Sequence, residues 1–430
     1  MPEFSVHRET VKNIAKIMPI FKRSGSISQF KKGSHMINIK FLFAAISFLM
    51  LTLPQYTFSS TTDEPGTGLK EAKKAAGNDY IITAYVAGWH NWTTDQIDAE
   101  KLSHINYAFA DIKDGKINSY LDNDDYQYTM LDSLRRINPD LKILVSVGGW
   151  SRSTYFSDAA LTEESRKIFA ESALDFIERY GLDGIDLDWE YPGSPGAGNV
   201  FRAVDRENFT LMLEELRIQL DEQTAADGRE DNPYLLTIAT GASQGFLQNT
   251  EMHKAHQYLD YVLLMTYDYH TGGSPVAGHH ANLFRSQSLH YTRGSADQSV
   301  QWFLDAGIPS EKLVLGVAFY GRYWTGVRAT ENGLYQFAPG SDRGAAGFDR
   351  LREEYINKNG YTRYWDAEAK APWLWNPDTA TFWSYDDEES VQHKTDYIKA
   401  RGLGGAMFWE YSQNLNGELL ETLYNGLNQY

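Results

Sequence analysis

From Ile81 onward the chain alternates short apolar runs, rich in β-branched and aromatic residues, with longer stretches whose apolar positions recur at helical spacing. The runs predict strands over Ile81–Ala87, His104–Phe109, Lys142–Val147, Gly184–Asp188, Leu235–Thr240, Tyr261–Met265, Leu313–Ala318 and Gly405–Trp409. Between them the pattern predicts helices such as Thr162–Tyr180 and Arg206–Glu222. Strand and helix in alternation mark βα units and a parallel sheet. Eight such units predict an α/β fold, a (β/α)8 barrel whose chemistry sits where each strand stops. One interval, 322–384, is too long for a loop without structure of its own. It holds strand-like pieces at Gly333–Phe337, Thr362–Trp365 and Thr381–Tyr385 and a helical piece at Phe348–Asn357, and so predicts a small α+β insertion between strands seven and eight.

The strand ends carry the candidate chemistry. The fourth run lies within Leu182 to Pro192, LDGIDLDWEYP, where Ile185 and Leu187 alternate with Asp186 and Asp188 and Glu190 extends the acidic set. Residues two apart share a face of a strand, so the three acids project together at steps of roughly 6.5 Å. Each charge opposes ionisation of the next, which raises at least one pKa and supplies a protonated carboxyl, as a general acid requires. The alternatives are an edge strand with a solvated acidic face, or a divalent-cation site. Other runs end in aromatic or small residues: Tyr85 and Trp89; Phe109; Ser146, Gly149 and Trp150; Met265, Tyr267 and Asp268; Trp409. Flat rings recurring at one mouth suit stacking on sugars, although any one of them taken singly reads as core packing.

The pattern Asp183-x-x-Asp186-x-Asp188-x-Glu190 resembles the signature of the family 18 glycoside hydrolases, the chitinase family. Ser146-x-Gly148-Gly149, Met265-x-Tyr267-Asp268 and the tryptophan of Gly404-Gly405-Ala406-Met407-Phe408-Trp409 resemble three further signatures, in the family's order. The resemblance implies a retaining hydrolase of β-1,4-linked N-acetylglucosamine polymers and oligomers that uses the substrate's own acetamido group. Glu190 is then the acid and base, Asp188 orients the acetamido group, Asp186 shares a proton with Asp188, and Tyr267 donates to the acetamido oxygen. It further implies a sugar surface with Trp409 as floor, Tyr85, Phe109, Met265, Asp268 and Tyr320 around it, and Trp89 and Trp150 as flanking candidates. Tyr320-Gly321-Arg322 matches the entry to the insertion domain of one subgroup, where that domain walls the cleft. Asp183 reads as a support at the helix-to-strand junction or as a direct participant, and Ser146 as a residue that orients Asp186. His279 and His280 pair in a Gly-rich loop, read as solvated, with metal binding as the alternative. No cofactor and no metal are expected.

Composition alters the picture at the amino end. Residues 1–60 hold eight basic and two acidic residues, all before the apolar run Phe41 to Leu53, and small polar residues follow it. That order predicts a secretory signal peptide over 36–60, with 1–35 an extension or tag and 61–78 a linker before a catalytic barrel at 79–430. Taking those eight and two from the chain's 40 basic and 57 acidic residues leaves 32 against 55, a formal net charge of −23. Such a surface repels nucleic acid and anionic membranes. A neutral or cationic substrate is the easier partner; the resemblance to family 18 implies chitin or chito-oligosaccharides, and a secreted monomer is expected. With no cysteine, disulfides, thiolate metal sites and thiol catalysis are excluded. The rival expectations are an endo-β-N-acetylglucosaminidase acting on N-glycans or peptidoglycan-type glycans, and a non-catalytic chitin-binding lectin.

Overall fold

The computed structural model describes residues 80–286, 293–339 and 343–428. The leader and linker expected over residues 1–78 lie outside them. In chain order the strands are β1 (Ile81–Ala87), β2 (His104–Lys113), β3 (Lys116–Asn118), β4 (Lys142–Gly148), β5 (Gly184–Asp188), β6 (Leu235–Gly241), β7 (Tyr261–Met265), β8 (Leu313–Ala318), β9 (Tyr320–Trp324), β10 (Arg343–Gly347), β11 (Thr362–Asp366), β12 (Ala371–Asn376), β13 (Thr381–Ser384) and β14 (Gly405–Trp409). Eight of them, in the order β1-β14-β8-β7-β6-β5-β4-β2, close into a parallel barrel when β2 pairs back onto β1. Every predicted barrel strand is present, most with unchanged bounds. The runs were readable because strands covered on both faces keep near-continuous apolar sequences.

Two apolar shells hold the barrel. Inside it pack Tyr85, Ala239, Leu263, Val314 and Met407. Outside it, Ile105, Val145, Ile185 and Leu187 join a much larger cluster with the surrounding helices, including Phe169, Phe176 and Leu213. The helix Glu163–Tyr180 is closed by a capping box at Thr162 and Ser165 and ends at Gly181, whose φ of 62° is the left-handed turn that stops a helix abruptly. The chain thereby enters β5 after only two further residues. Among the described residues no helix is long and apolar enough to cross a membrane.

A second, antiparallel sheet follows β8 almost at once, in the order β10-β9-β13-β12-β11. It has its own apolar cluster of Trp324, Leu334, Trp373, Trp375 and Phe382. The strand expected over Gly333–Phe337 is a correction: that stretch is a turn, because Glu331, Asn332, Gly333 and Tyr335 all have positive φ, a backbone that no strand tolerates. Strand β12 escapes sequence reading because Pro372 interrupts it. Pro372 pairs only with β11, since the β13 pairing begins at Trp373, so its missing N–H removes no bond on that side. The expected helix at Phe348–Asn357 is a short α-turn continued as a π-turn to Tyr355.

Candidate active site

Strand β5 alternates its burden. Ile185 and Leu187 face the helices, whereas Asp186 and Asp188 face the barrel axis. Register places Ser146 of β4 and Thr237 of β6 level with Asp186 on either side. Asp186, completely buried, accepts hydrogen bonds from Tyr85 Oη (2.9 Å), Ser146 Oγ (2.8 Å) and Thr237 Oγ1 (2.7 Å). Burial pushes its carboxyl up, and these donors pull against that rise. Asp188 lies in a different environment: its Oδ1 is buried without a hydrogen-bond partner among the described residues. Burial, then the charges of Glu190 and Asp186, push its carboxyl well above the usual range. Three donors thus stabilise charge on Asp186, whereas among the described residues none reaches Asp188 Oδ1.

Glu190 stands two residues past the end of β5 and is 8% exposed. Burial pushes its carboxyl up to about 7; the Tyr191 phenol, hydrogen-bonded to it, works downward and the Asp268 charge upward. Its backbone N–H donates to Ser153 Oγ (2.9 Å), and that hydroxyl also lies 3.0 Å from the Gly149 carbonyl and 3.1 Å from the Asp188 carbonyl. Ser153 thus ties the loops after β4 and β5 together beneath the acids.

Opposite stands Asp268, at a left-handed φ of 61°. Tyr320 Oη donates to it at 2.7 Å, Arg322 donates through both Nε and Nη2, and His280 Nδ1 lies 3.5 Å away. Burial raises its carboxyl, but His280 and Arg322 outweigh burial and hold it far below the usual carboxylate range. Among the described residues the hydrogen-bond contact of the Tyr267 hydroxyl is the Met407 sulfur, 3.9 Å away. Burial and the nearby acids push its phenol well up, so it stays protonated and is a donor. The pair His279 and His280 is a correction, since both side chains are fully buried rather than solvated. Their loop is held against the second sheet: the His280 N–H donates to Ser384 Oγ, and His279 Nε2 lies 3.4 Å from Asp366. Among the described residues no three His, Cys, Asp or Glu side chains gather to hold a metal ion.

These groups open into a cleft of about 1130 Å³. Asp188, Glu190, Tyr267, Asp268, Tyr85, Trp89, Phe109, Trp150, Met265, Tyr320, Arg322 and Trp409 all line it, as do Ala345 and Ala346 of β10, so the second sheet forms one wall. Phe109 stacks on Trp409 at 5.5 Å and 21°. Four expected residues are elsewhere. Asp186 and Ser146 lie completely buried behind the acids. Gly149 contributes space, since a Cβ there would stand 2.6 Å from the Phe109 ring. Asp183 sits before the first residue of β5, at the opposite end of the barrel, between Arg135 (2.5 Å) and Arg229 (2.8 Å), and accepts the Ile143 N–H (3.0 Å).

Residues 81–414 match the sequence profile of the glycosyl hydrolases family 18. The chain belongs to that family. It is 39% identical to Chitinase A1 of Niallia circulans over 427 residues, covering 84% of this chain and 60% of that protein's length. A solved family 18 N-acetylglucosaminidase from Paenibacillus barengoltzii superposes with a TM-score of 0.75 at 46% identity, covering 81% of this chain and all of that one. The class V chitinase of Nicotiana tobaccum, solved in complex with NAG4, gives a TM-score of 0.73 at 28% identity over 81% of this chain and 99% of that one.

Several residues of this family 18 site carry no sequence signal. Thr237 and Ser153 are ordinary strand and loop residues until register and loop packing bring them to Asp186 and Glu190. His280, read from the sequence as half of a solvated pair, reaches Asp268 only in the folded chain.

Proposed function

We propose that this chain hydrolyses chitin and chito-oligosaccharides with retention of anomeric configuration, by substrate-assisted catalysis. One observation carries the reading: among the described residues no donor reaches the acceptor Asp188 Oδ1, and the Tyr267 hydroxyl, a donor, has the Met407 thioether at 3.9 Å as its hydrogen-bond contact. An N-acetyl group, with one N–H and one carbonyl oxygen, satisfies both at once. In the first step the protonated Glu190 gives its proton to the glycosidic oxygen as the bond to the anomeric carbon breaks. The acetamido oxygen forms a bond to that carbon from the opposite face, giving an oxazolinium ion. Asp188 accepts the acetamido N–H and stabilises the positive charge, while Tyr267 orients the oxygen. Glu190, now a carboxylate, takes a proton from water as the water oxygen attacks the anomeric carbon and the ring reopens. Two inversions give retention; substrate assistance replaces the second carboxylate of an ordinary retaining glycosidase.

The family relatives named as chitinases support this substrate class. A second reading, release of single N-acetylglucosamine units, is favoured by the 46% identity to the Paenibacillus barengoltzii N-acetylglucosaminidase. The insertion over 322–384 is proposed to deepen the cleft, and the basic, apolar, small-residue order of residues 1–60 supports export. The test is product analysis on N-acetylglucosamine hexamer, resolving length and anomer, with Glu190→Gln as control. Early β-anomer disaccharide that is absent from the control is expected, and early monosaccharide selects the second reading. Hydrolysis by Glu190→Gln at the unmodified rate overturns the mechanism.

A further inference from the structure

We propose that His90 is a positioning residue for Trp89, acting through Ser412 and Glu410, and that this relay sets how tightly the cleft grips a long sugar chain. The proposal rests on the reading of the cleft as a chito-oligosaccharide site. Trp89 is 51% exposed, and its ring neighbours are Trp409, at 6.2 Å, and His90, at 6.1 Å. An exposed indole positions a sugar only if something fixes its plane.

His90 is itself fixed from two directions. One face meets Trp92 at 5.6 Å; Trp92 is almost wholly buried, donates Nε1–H to the Ala87 carbonyl at 2.8 Å and packs edge-on against Tyr411. At its tip, His90 Nε2 lies 2.9 Å from Ser412 Oγ. Ser412 belongs to the turn directly after Trp409, and Glu410, 1% exposed, organises that turn. The Glu410 carboxylate accepts from the Ser412 N–H (2.9 Å), from Gln413 Nε2 (2.6 Å) and from the Ser412 hydroxyl.

Proton counting fixes the direction of the relay. A carboxylate only accepts, so the single Ser412 hydroxyl proton goes to Glu410. Ser412 Oγ must then accept from His90, whose Nε2 therefore carries a hydrogen. The buried carboxylate behind the floor tryptophan thus sets the imidazole on which the rim tryptophan leans. Gln413, held by the same carboxylate, lines the cleft too.

The test is a double-mutant cycle read as binding of N-acetylglucosamine hexamer to the Glu190→Gln protein by titration calorimetry, so that turnover plays no part. Trp89→Ala is expected to weaken binding about tenfold, the scale of one aromatic contact. His90→Ala and Ser412→Ala should each approach that loss, and His90→Ala combined with Trp89→Ala should be no weaker than Trp89→Ala alone. His90→Gln, whose amide N–H can replace Nε2–H toward Ser412, should bind within about twofold of the Glu190→Gln parent. Melting curves identify variants that fold, and Ser412→Ala, which removes one oxygen, carries the cycle if His90→Ala does not. Losses that add, unchanged hexamer binding in His90→Ala, or His90→Gln no better than His90→Ala would each overturn the proposal. Absence of hexamer cleavage by the chain with Glu190 intact, with the cycle as expected, would overturn the hydrolase reading and leave the relay standing.

Discussion

Glu190→Gln is expected to make the protein more stable above neutral pH and to leave it nearly unchanged in acid. The folded chain pushes the Glu190 carboxyl from 4.5 up to about 7, chiefly by burial. A raised folded-state pKa means that the native protein holds this proton more tightly than the unfolded chain. The stability linked to it is fully present below about pH 4.5 and is lost as pH rises through about 7. At 1.36 kcal/mol per pKa unit, an ionised Glu190 costs the fold about 3 kcal/mol at pH 8. Glutamine has the shape of the protonated acid and never ionises, so the variant avoids that cost. For a domain of this size, 3 kcal/mol corresponds to about 4 °C in Tm. Differential scanning calorimetry of both proteins from pH 4.5 to 8.5 measures the gap, which should open between about pH 5 and 7 and then level off. A gap independent of pH, or a variant that melts lower at pH 8, would refute the assignment of Glu190 as a carboxyl protonated by burial.

Three further outcomes are expected. The kcat/KM of the unmodified protein on chito-oligosaccharides should fall on the alkaline side with an apparent pKa near 7, because the acid must be protonated; Asp268→Asn removes one of the charges that push Glu190 up, so the pH–rate profile should move that limb to lower pH. Gly148→Ala should destabilise by about 3 kcal/mol or more in urea unfolding, since its φ is +107° and the added Cβ would stand 2.3 Å from the Asp188 carbonyl oxygen. Lys394→Met strands the Asp386 carboxylate, as both members of that ion pair are wholly buried; it should cost about 3–5 kcal/mol in the same assay, and joint replacement with Asp386→Leu should recover most of the loss.

What the sequence revealed follows from how each element earns its stability. The barrel strands are buried on both faces, so their apolar runs are continuous and their bounds are sharp in the chain itself. The acids of β5 were legible because they break such a run. The second sheet was only partly legible. Its edge strand β10 reads Arg-Gly-Ala-Ala-Gly, with no apolar side chain larger than alanine, and is held by pairing to β9 rather than by its own pattern. His279 and His280 sit among glycines that suggest a solvated turn, yet Tyr335 and Trp373 pack on His279 and Tyr320 packs on His280. That burial arises from segments 40 to 94 positions away, which no local pattern encodes.

The same period of two explains how the chain tolerates three crowded acids. Along Ile185 to Glu190, the outward positions are Ile185, Leu187 and Trp189, each 1% exposed or less, and Trp189 stacks on Phe156 at 5.3 Å with ring planes 9° apart. Burying a side chain of that size contributes roughly 1.5–3 kcal/mol. The inward positions are Asp186, Asp188 and Glu190. One apolar anchor is therefore of the same order as the cost of ionising one of these acids near pH 8, and anchor and acid are neighbours in the chain. A slip of one residue would turn the acids into the helix layer and the anchors into the cleft. Register and function are thus fixed by the same six residues, and the acids hold their position because the alternate side chains cannot leave theirs.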